Sequence, residues 1–232
     1  MADQPDVRSL AIGVLGGTGD QGAGLAFRFS AAGLAVLIGS RDEGRAARAA
    51  GEVNRKLASE SCDGAHNADV ARQADLVVVA VPYAGHADTL RGLTGELAGK
   101  IVVDCVNPVG FDERGPYPLA VPEGSAAQQA AAVLPDSRVV AAFHHVSAVL
   151  LADPEVSTVD QDVLVLGDDR DATDTVQALA AVIPGMRGVY AGRLRNAGQV
   201  EALTANLIAI NRRYRAHAGI RVTDLRVTGV SG

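Results

Sequence analysis

Three glycines near the start of the chain have the spacing of a phosphate-binding turn. Gly17, Gly19 and Gly22 form the pattern G-x-G-x-x-G directly after the apolar run 10–15. In a strand–turn–helix unit the first glycine allows a tight turn, the second lets the backbone approach a pyrophosphate, and the third lets the helix pack closely. The same pattern occurs in purely structural turns, but the strand before it and the helical pattern after it favour dinucleotide binding.

A second polar cluster follows the next apolar run and indicates which dinucleotide would bind. Ser40 and Arg41 end that run, and Arg45 lies one helical turn further along. A hydroxyl and two guanidinium groups suit a 2′-phosphate, which needs hydrogen-bond donors and positive charge. The alternative is that Asp42 or Glu43 binds a ribose hydroxyl, as acidic residues do in NAD enzymes. We favour NADP, because both acidic residues come late and suit the start of a helix.

Alternating strand and helix patterns must place these two clusters. The apolar runs cover residues 10–15, 34–38, 76–81 and 101–106, with helical patterns between them. This alternation is typical of an α/β protein with a Rossmann-like, doubly wound, mainly parallel sheet. Right-handed crossovers bring the carboxyl ends of such strands to one edge, where ligands bind. The glycine turn and residues 40–45 are therefore expected to lie side by side.

The second half of the sequence is less regular at first. Residues 107–124 contain four prolines and three glycines, which predicts a long loop without regular structure. Ser125 with Gln128 predicts a capping box that opens a helix. Two strands are expected at 138–143 and 162–166. The last helix, about 196–217, carries an apolar stripe that we assign to the core or a dimer interface: Val200, Leu203, Leu207, Ile210 and Tyr214.

Composition and charge narrow the classes of function. Apolar residues make up 48% of the 232 residues and aromatic residues only 3%, as suits an aliphatic α/β core. With no membrane-length apolar run, no signal-peptide pattern and two cysteines, we expect a cytoplasmic protein without a metal centre. After residue 186, eight arginines accompany two acidic residues. This basic segment is expected to be a solvated face, a subunit contact or a grip on an anionic ligand, and not a nucleic-acid site.

Taken together, these motifs resemble those of the NADP oxidoreductases that use the deazaflavin coenzyme F420. The resemblance runs over nearly the whole chain, in order and spacing. Its segments are 15–24, 38–41, 79–83 with His86, 100–108, 141–148, 167–169 and 196–220. The resemblance implies an NADP-binding Rossmann domain at 1–155. It also implies a smaller C-terminal α/β domain at 156–232, which would hold the deazaflavin site and join two subunits as a homodimer.

The resemblance also implies roles for individual residues. Within the turn shaped by Gly17 and Gly22, the pyrophosphate would be held by Thr18, Gly19, Asp20 and Gln21, and the 2′-phosphate by Ser40, Arg41 and Arg45. The ribose and nicotinamide half would lie along Val81, Tyr83, Asn107 and Ala148, and the deazaflavin would contact His144, Thr204 and Leu207. The chain departs from the family pattern at two positions near the expected hydride path. Tyr83 stands where relatives often have tryptophan, and Ser147 where they often have proline.

The expected reaction passes a hydride between nicotinamide C4 and deazaflavin C5. Both reacting carbons belong to coenzymes, so the protein supplies mainly stacking, distance and exclusion of water. This agrees with a sequence that has no nucleophile elbow, no metal cluster and no obvious acid–base pair. The alternatives are another NADPH-dependent reductase, acting on a flavin, a metal chelate or an imine, and a non-catalytic NADP sensor.

The remaining polar side chains are assigned mainly structural roles. His144 and His145 end a predicted strand, so at most one ring is expected to face the site, and His144 is the candidate. A structural histidine is the favoured alternative. His66 and His86 are interpreted as surface or helix-packing residues, and Cys105 as buried and inert. The polyanionic deazaflavin tail is expected to rest on arginines of the basic segment, namely Arg193, Arg195, Arg212 and Arg213.

Overall fold

A computed structural model describes residues 5–225 of the chain, which form strands and helices in alternation. The strands are β1 Ala11–Leu15, β2 Ala35–Ser40, β3 Cys62–His66, β4 Leu76–Val79, β5 Ile101–Asp104, β6 Val109–Asp112, β7 Gly115–Pro118, β8 Arg138–Ala141, β9 Asp162–Gly167 and β10 Arg187–Gly192. The helices are α1 Asp20–Ala31, α2 Glu43–Leu57, α3 Asn67–Gln73, α4 His86–Arg91, α5 Thr94–Leu97, α6 Ala126–Val133, α7 Ala148–Ala152, α8 Arg170–Ala181 and α9 Ala197–Tyr214.

Eight of the strands form one sheet, in the order β10-β9-β8-β5-β4-β1-β2-β3. The six strands from β8 to β3 run parallel, and β9 and β10 run antiparallel to them. The strand β1 lies between β2 and β4, so the chain order reverses beside it. Such a switch point opens a crevice at the carboxyl ends of the strands. The Rossmann-like, mainly parallel sheet predicted from the sequence is confirmed.

Apolar side chains cover both faces of this sheet. One core contains Phe29 and Phe143, whose rings meet edge to face with centroids 6.0 Å apart. The other core contains Leu90 and Leu97 of the helices on the opposite face. Both cores are mainly aliphatic and alanine-rich, as the composition predicts. No helix within residues 5–225 is long and apolar enough to cross a membrane.

Two edge strands were not predicted. The strands β3 and β10 lie at the two ends of the sheet, and their sequences are CDGAH and RGVYAG. An edge strand has a neighbour on one side only, and these two bury few aliphatic side chains, so the hydrophobic signal of a strand is missing. Their partners β2 and β9 bury most of their residues and match the predicted runs closely.

The prediction that residues 107–124 lack regular structure is wrong. The strands β6 and β7 pair as an antiparallel hairpin, with Val109 opposite Pro118 and Phe111 opposite Pro116. The backbone N–H of Leu119 donates to the carbonyl of Pro108, 2.8 Å away. Because successive backbone nitrogens of a strand point to opposite edges, the nitrogens of Pro116 and Pro118 lie on the outer edge of the hairpin. A two-stranded ribbon therefore accepts prolines that a central strand would exclude.

The sheet runs without interruption across the predicted domain boundary at residue 155. The strands β8 and β9 join through two residue pairs, Val140 with Gly167 and Ala141 with Leu166. The division into 1–155 and 156–232 stays a prediction. Of the eight arginines of the basic segment, Arg226 lies outside the described residues.

Candidate functional site

The turn after β1 is shaped by glycines that accept no side chain. Gly16 has a φ of +73°, and a Cβ placed on it would lie 2.8 Å from the carbonyl oxygen of Ala80. A Cβ on Gly22 would lie 2.8 Å from the carbonyl oxygen of Gly16 and from Gly17 Cα. The close-packing role predicted for Gly22 thus fits the geometry. The left-handed residue of the turn is Gly16, and a Cβ on Gly17 would lie 3.0 Å from both Ile38 Cγ2 and the carbonyl oxygen of Val14.

The N-terminus of α1 has no side-chain cap. Its N-cap residue, Gly19, is extended (φ −90°, ψ 163°), and a Cβ there would meet only the carbonyl oxygen of Gly16, at 3.6 Å. The amides of the first helical turn, including those of Asp20 and Gln21, have no acceptor within the helix. The side chain of Gln21 is not free to bind a ligand, since its amide donates to the carbonyl of Phe143 at 3.1 Å. The backbone amides of this turn and the side chain of Thr18, which also lines the cleft, are the groups that could bind an anion.

This helix start forms one wall of a cleft of about 910 Å³ at the carboxyl ends of β1, β2, β4 and β5. The cleft is lined by Gly16, Thr18, Gly19, Asp20, Gln21, Ser40, Arg41, Asp42, Arg45, Asn67, Ala80, Val81, Pro82, Ala84, Gly85, Thr89, Cys105, Val106 and Asn107. Its position is the crevice expected from the strand order. Its volume is within the range of ligand pockets.

The cationic cluster after β2 lines the same cleft. Arg41 and Arg45 are exposed, and neither guanidinium has an ion-pair partner within residues 5–225. Asp42 is the N-cap of α2, and its carboxylate accepts the backbone N–H of Arg45 at 2.9 Å. The hydroxyl oxygen of Ser40 accepts the backbone N–H of Asp42 at 3.2 Å. The acidic residue therefore starts the helix, and the two cations remain open to the cleft.

Asn67 is a cleft residue that the sequence reasoning missed. It is buried at the start of α3, and no partner within the described residues hydrogen-bonds its Oδ1. A Cβ on Gly39 would lie 2.6 Å from that oxygen, so the amide lies directly over the end of β2. Its only sequence signal is its position after a strand, and β3 itself was not recognised.

Comparison with known proteins extends this picture to the whole chain. Residues 11–108 match the family model described as NADP oxidoreductase coenzyme F420-dependent. The F420-dependent NADP reductase of Methanothermobacter thermautotrophicus is 42% identical over 94% of this chain and 97% of its own length. That of Methanocaldococcus jannaschii is 37% identical over 94% of this chain and its full length.

The chain belongs to the F420-dependent NADP reductase family. The solved structure of a candidate F420-dependent NADP reductase from Arthrobacter sp. FB24 is also similar, with a TM-score of 0.78 and 28% identity over 93% of this chain and all of that chain. The family resemblance inferred from the motifs is confirmed.

Only some of the residues that the family resemblance implies for the nicotinamide half and the deazaflavin lie in the cleft. Val81 and Asn107 line the cleft. Tyr83, Ala148, His144, Thr204 and Leu207 do not line it. The amide of Asn107 donates to the carbonyl of His144 at 2.8 Å, and the hydroxyl of Thr204 contacts both the Asn107 side chain and that carbonyl at 3.1 Å. Residues from three distant parts of the chain therefore meet behind the cleft.

Both histidines after β8 are buried, and they lie beyond the end of the strand on whose alternation the prediction was based. The strand ends at Ala141, and Phe143 adopts a left-handed φ of +64°. His145 accepts the backbone N–H of Leu164 through Nε2 at 3.2 Å, so it has a structural role. The ring nitrogens of His144 have no hydrogen-bond partner among the described residues, Nε2 lies 3.9 Å from Glu201 Oε1, and burial lowers its pKa to about 4. His144 is therefore neutral at ordinary pH.

Arg28 and α7 form a second feature missed at the sequence level. The Arg28 guanidinium is buried and donates to the carbonyls of Leu151 (2.8 Å), Val156 (2.7 Å) and Asp153 (2.8 Å). These carbonyls lie in and after α7, the helix that begins at Ala148. The contact thus holds α7 against α1, and its partners are too distant in sequence for any local pattern to reveal.

The four arginines expected to hold the deazaflavin tail do not line the cleft. Arg193 lies 3.7 Å from the carboxylate of Asp168, beside a separate pocket of about 430 Å³. Arg212 lies over the ring of Phe111, 5.5 Å from its centroid. The described residues show these two cations engaged with different parts of the surface.

Proposed function

We propose that this protein transfers a hydride between NADP(H) and the deazaflavin coenzyme F420. The observation that carries the proposal is the pairing, in one cleft, of an uncapped helix N-terminus with two unpaired arginines. A helix N-terminus attracts a phosphate through free N–H groups and its dipole. Guanidinium groups bind a second phosphate by charge-assisted hydrogen bonds. Family membership supports the same pair of coenzymes.

The residues present fit a phosphorylated dinucleotide. The open space at Gly19 admits a pyrophosphate against the backbone of Thr18, Asp20 and Gln21. Ser40, Arg41 and Arg45 would bind the 2′-phosphate. Val81 and Asn107 would border the nicotinamide half, with Tyr83 and Ala148 beside them. NADP is favoured over NAD because the carboxylate of Asp42 already accepts the Arg45 amide.

The coenzymes, when bound, supply the carbon atoms between which the hydride passes. The groups above would bind the dinucleotide, and Asn107, which follows β5, would border its nicotinamide half. His144, Thr204 and Leu207 would contact the deazaflavin. His144 is neutral and its ring nitrogens have no hydrogen-bond partner in residues 5–225, but its side chain is fully buried, so a contact with the deazaflavin would require neighbouring residues to move. Burial of this end of the site excludes water from the reacting atoms.

A direct assay tests the proposal. The protein is mixed with NADPH and oxidised F420, and the deazaflavin absorbance is followed. We expect it to bleach, much faster with NADPH than with NADH. Oxidation of NADPH only by a flavin, a metal chelate or an imine would instead assign another reductase activity. Tight NADPH binding without oxidation by any acceptor would indicate a sensor.

We also propose that two copies associate through the surface formed by the hairpin β6–β7 and the end of α9. Phe111, Tyr117, Ile210 and Tyr214 are exposed there, with Tyr214 73% exposed. The apolar stripe predicted on the last helix is thus split, because Val200 and Leu207 are buried. Light scattering after gel filtration should give twice the chain mass, and Tyr214→Glu should give a monomer. The cytoplasmic location and the two-domain division stay predictions.

A further inference from the structure

A buried histidine–aspartate pair joins two walls of the cleft. His86 follows Gly85, and Asp104 precedes Cys105; both neighbours line the cleft. His86 Nε2 lies 2.6 Å from Asp104 Oδ2, and both side chains are fully buried. One contact therefore connects the start of α4 to the end of β5. Neither residue was assigned to the site from the sequence, where His86 was interpreted as a surface or helix-packing residue.

The hydrogen-bond partners of His86 define its charge. His86 Nδ1 faces Oε1 of Gln129 at 3.1 Å, and the Gln129 amide nitrogen is already committed to Glu123 at 3.1 Å. The amide oxygen accepts, and the carboxylate of Asp104 accepts when it is ionised, so these contacts favour a proton on both ring nitrogens. Burial alone would lower the pKa of His86, but the hydrogen bond to Asp104 outweighs it and raises the pKa above 6.5. The two contacts therefore favour the imidazolium form of His86.

The pair also shapes the backbone beside the cleft. Asp104 Oδ1 accepts the backbone N–H of Val106 at 3.1 Å and so fixes the turn that leads to Asn107. The Tyr83 ring stacks beside His86, with centroids 6.4 Å apart and planes 30° apart. The side chains of His86 and Asp104 thus stabilise the backbone of both cleft walls without lining the cleft themselves.

Other ionisable groups face the pair from neighbouring elements. Glu201 of α9 is buried nearby, and burial raises its pKa to about 7. His144 feels the charge of Asp104, and burial keeps it neutral. Glu123 reaches His86 through Gln129. Asp104 is the carboxylate in direct contact with the imidazolium.

We propose that His86 and Asp104 are positioning residues, whose ion pair holds the walls after β4 and β5 at the separation that the far half of the dinucleotide requires. The proposal rests on the proposed function, since it concerns the same cleft. In the sheet order, β5 is separated from β2 by β4 and β1, so the pair lies away from the adenosine end marked by Arg41. Disrupting it should therefore weaken binding of the whole dinucleotide and spare binding of its adenosine half.

Calorimetry with two probes tests this. In Asp104→Asn, we expect the affinity for NADP to fall about tenfold, the effect of roughly one lost hydrogen bond to a charged group. The affinity for adenosine 2′,5′-bisphosphate, which carries only the adenosine half, should change less than about twofold on the same reasoning. The matched control is Asp162→Asn, because Asp162 of β9 is a fully buried carboxylate that pairs with Arg187 of β10, outside the cleft. It should leave both affinities unchanged.

A histidine NMR titration supplies the second readout. The His86 signal, identified by its loss in His86→Gln, should titrate above pH 6.5 in the wild type and at lower pH in Asp104→Asn. His86→Gln also replaces Asp104→Asn in calorimetry if that variant does not fold. Equal loss of both probes, or unchanged NADP affinity, would overturn the positioning role. A wild type that binds neither probe would refute the proposed function instead, and the titration would still test the ion pair.

Discussion

Two strand–helix units of the same sheet, β1–α1 and β9–α8, differ in whether their helix N-terminus is capped and their neighbouring arginines are paired. The helices α1 and α8 each have twelve residues, and each follows a sheet strand. Asp169 caps α8 by accepting the Ala172 amide at 2.7 Å, whereas Gly19 offers α1 no side chain. Near α8, Arg187 binds the buried Asp162 at 2.6 Å. Arg41 and Arg45, near α1, have no such partner in residues 5–225. The unit that leaves its donors and cations free is the one that lines the cleft.

A third helix shows what an anion does at such an N-terminus. The amides of Ala126 and Ala127, at the start of α6, donate to the carboxylate of Glu201 at 2.8 and 3.1 Å. Glu201 comes from α9, so one part of the chain supplies the anion that another part binds. By comparison, α1 has neither the carboxylate nor the side-chain cap that Ser125 gives α6, so its free amides are where a phosphate from outside the chain would bind.

The strongest test makes α1 resemble α8. Gly19→Asp should cap the helix, because the backbone there is extended and a Cβ has room. The new carboxylate would repel a pyrophosphate, so NADPH affinity should fall about a hundredfold or more. Urea denaturation should show unchanged or higher stability. Gly19→Asn, which caps without charge, should bind clearly better than Gly19→Asp; equal binding by both would contradict the electrostatic comparison.

Removing a free cation should have the next largest effect. Arg41→Ala should lower NADPH affinity by about ten- to a hundredfold, the range for lost hydrogen bonds to a charged group, and leave NADH affinity unchanged. The control is Arg48→Ala, an exposed arginine one turn beyond Arg45 that does not line the cleft. Fluorescence titration with NADPH and with NADH measures the ratio of the two affinities for each variant. If the two variants behave alike, the pocket after β2 is not the 2′-phosphate site.

The helix α6 provides a pH test of a buried carboxylate at an N-terminus. Burial raises the pKa of Glu201 from 4.5 to about 7, so the folded chain holds its proton at a pH where the unfolded chain has released it. The resulting stability is present below pH 4.5 and is lost as the pH rises through 7. Between pH 5 and pH 8, the free energy of unfolding of the wild type should fall by about 2 kcal/mol relative to that of Glu201→Gln. Urea denaturation of both proteins at the two pH values measures this; a pH-independent difference would exclude the raised pKa.

The smallest effect is expected from uncapping α8. Asp169→Ala should lower the free energy of unfolding by about 1 kcal/mol, the usual value of an N-cap. NADPH affinity should stay unchanged, because α8 lies outside the cleft. Thermal denaturation and titration together check both halves of this expectation. Loss of affinity here would mean that the two units are coupled.

The sequence was most informative where local chemistry and burial coincide. The run before Gly16 and the run before Ser40 are continuous and buried, so β1, β2 and their polar ends were predictable. The edge strands β3 and β10 lack that hydrophobic signal, because one side of each faces no strand. The hairpin was mistaken for a loop, because its prolines occupy outward positions that only the pairing reveals.

The buried polar contacts could not be predicted from the sequence for a different reason. Arg28 meets Leu151, His86 meets Asp104, and Glu201 meets Ala126, each across a long separation in sequence. A polar side chain can be exposed to solvent or paired with a distant residue, and the neighbouring sequence does not distinguish these two cases. The motif glycines, in contrast, depend on backbone geometry within a few residues, which a local sequence pattern can reveal.

The Arg28 contact has a consequence for how the chain is made. Its guanidinium ends on carbonyls as late as Val156, so α1 cannot bury this cation until that segment has been synthesised. A nascent chain that ends at residue 108 would contain the whole family-model region and still expose a charged group meant for the interior. The helix α1 would then reach its final packing only after α7 has been synthesised, and the amino-terminal half should be a poor unit for expression by itself.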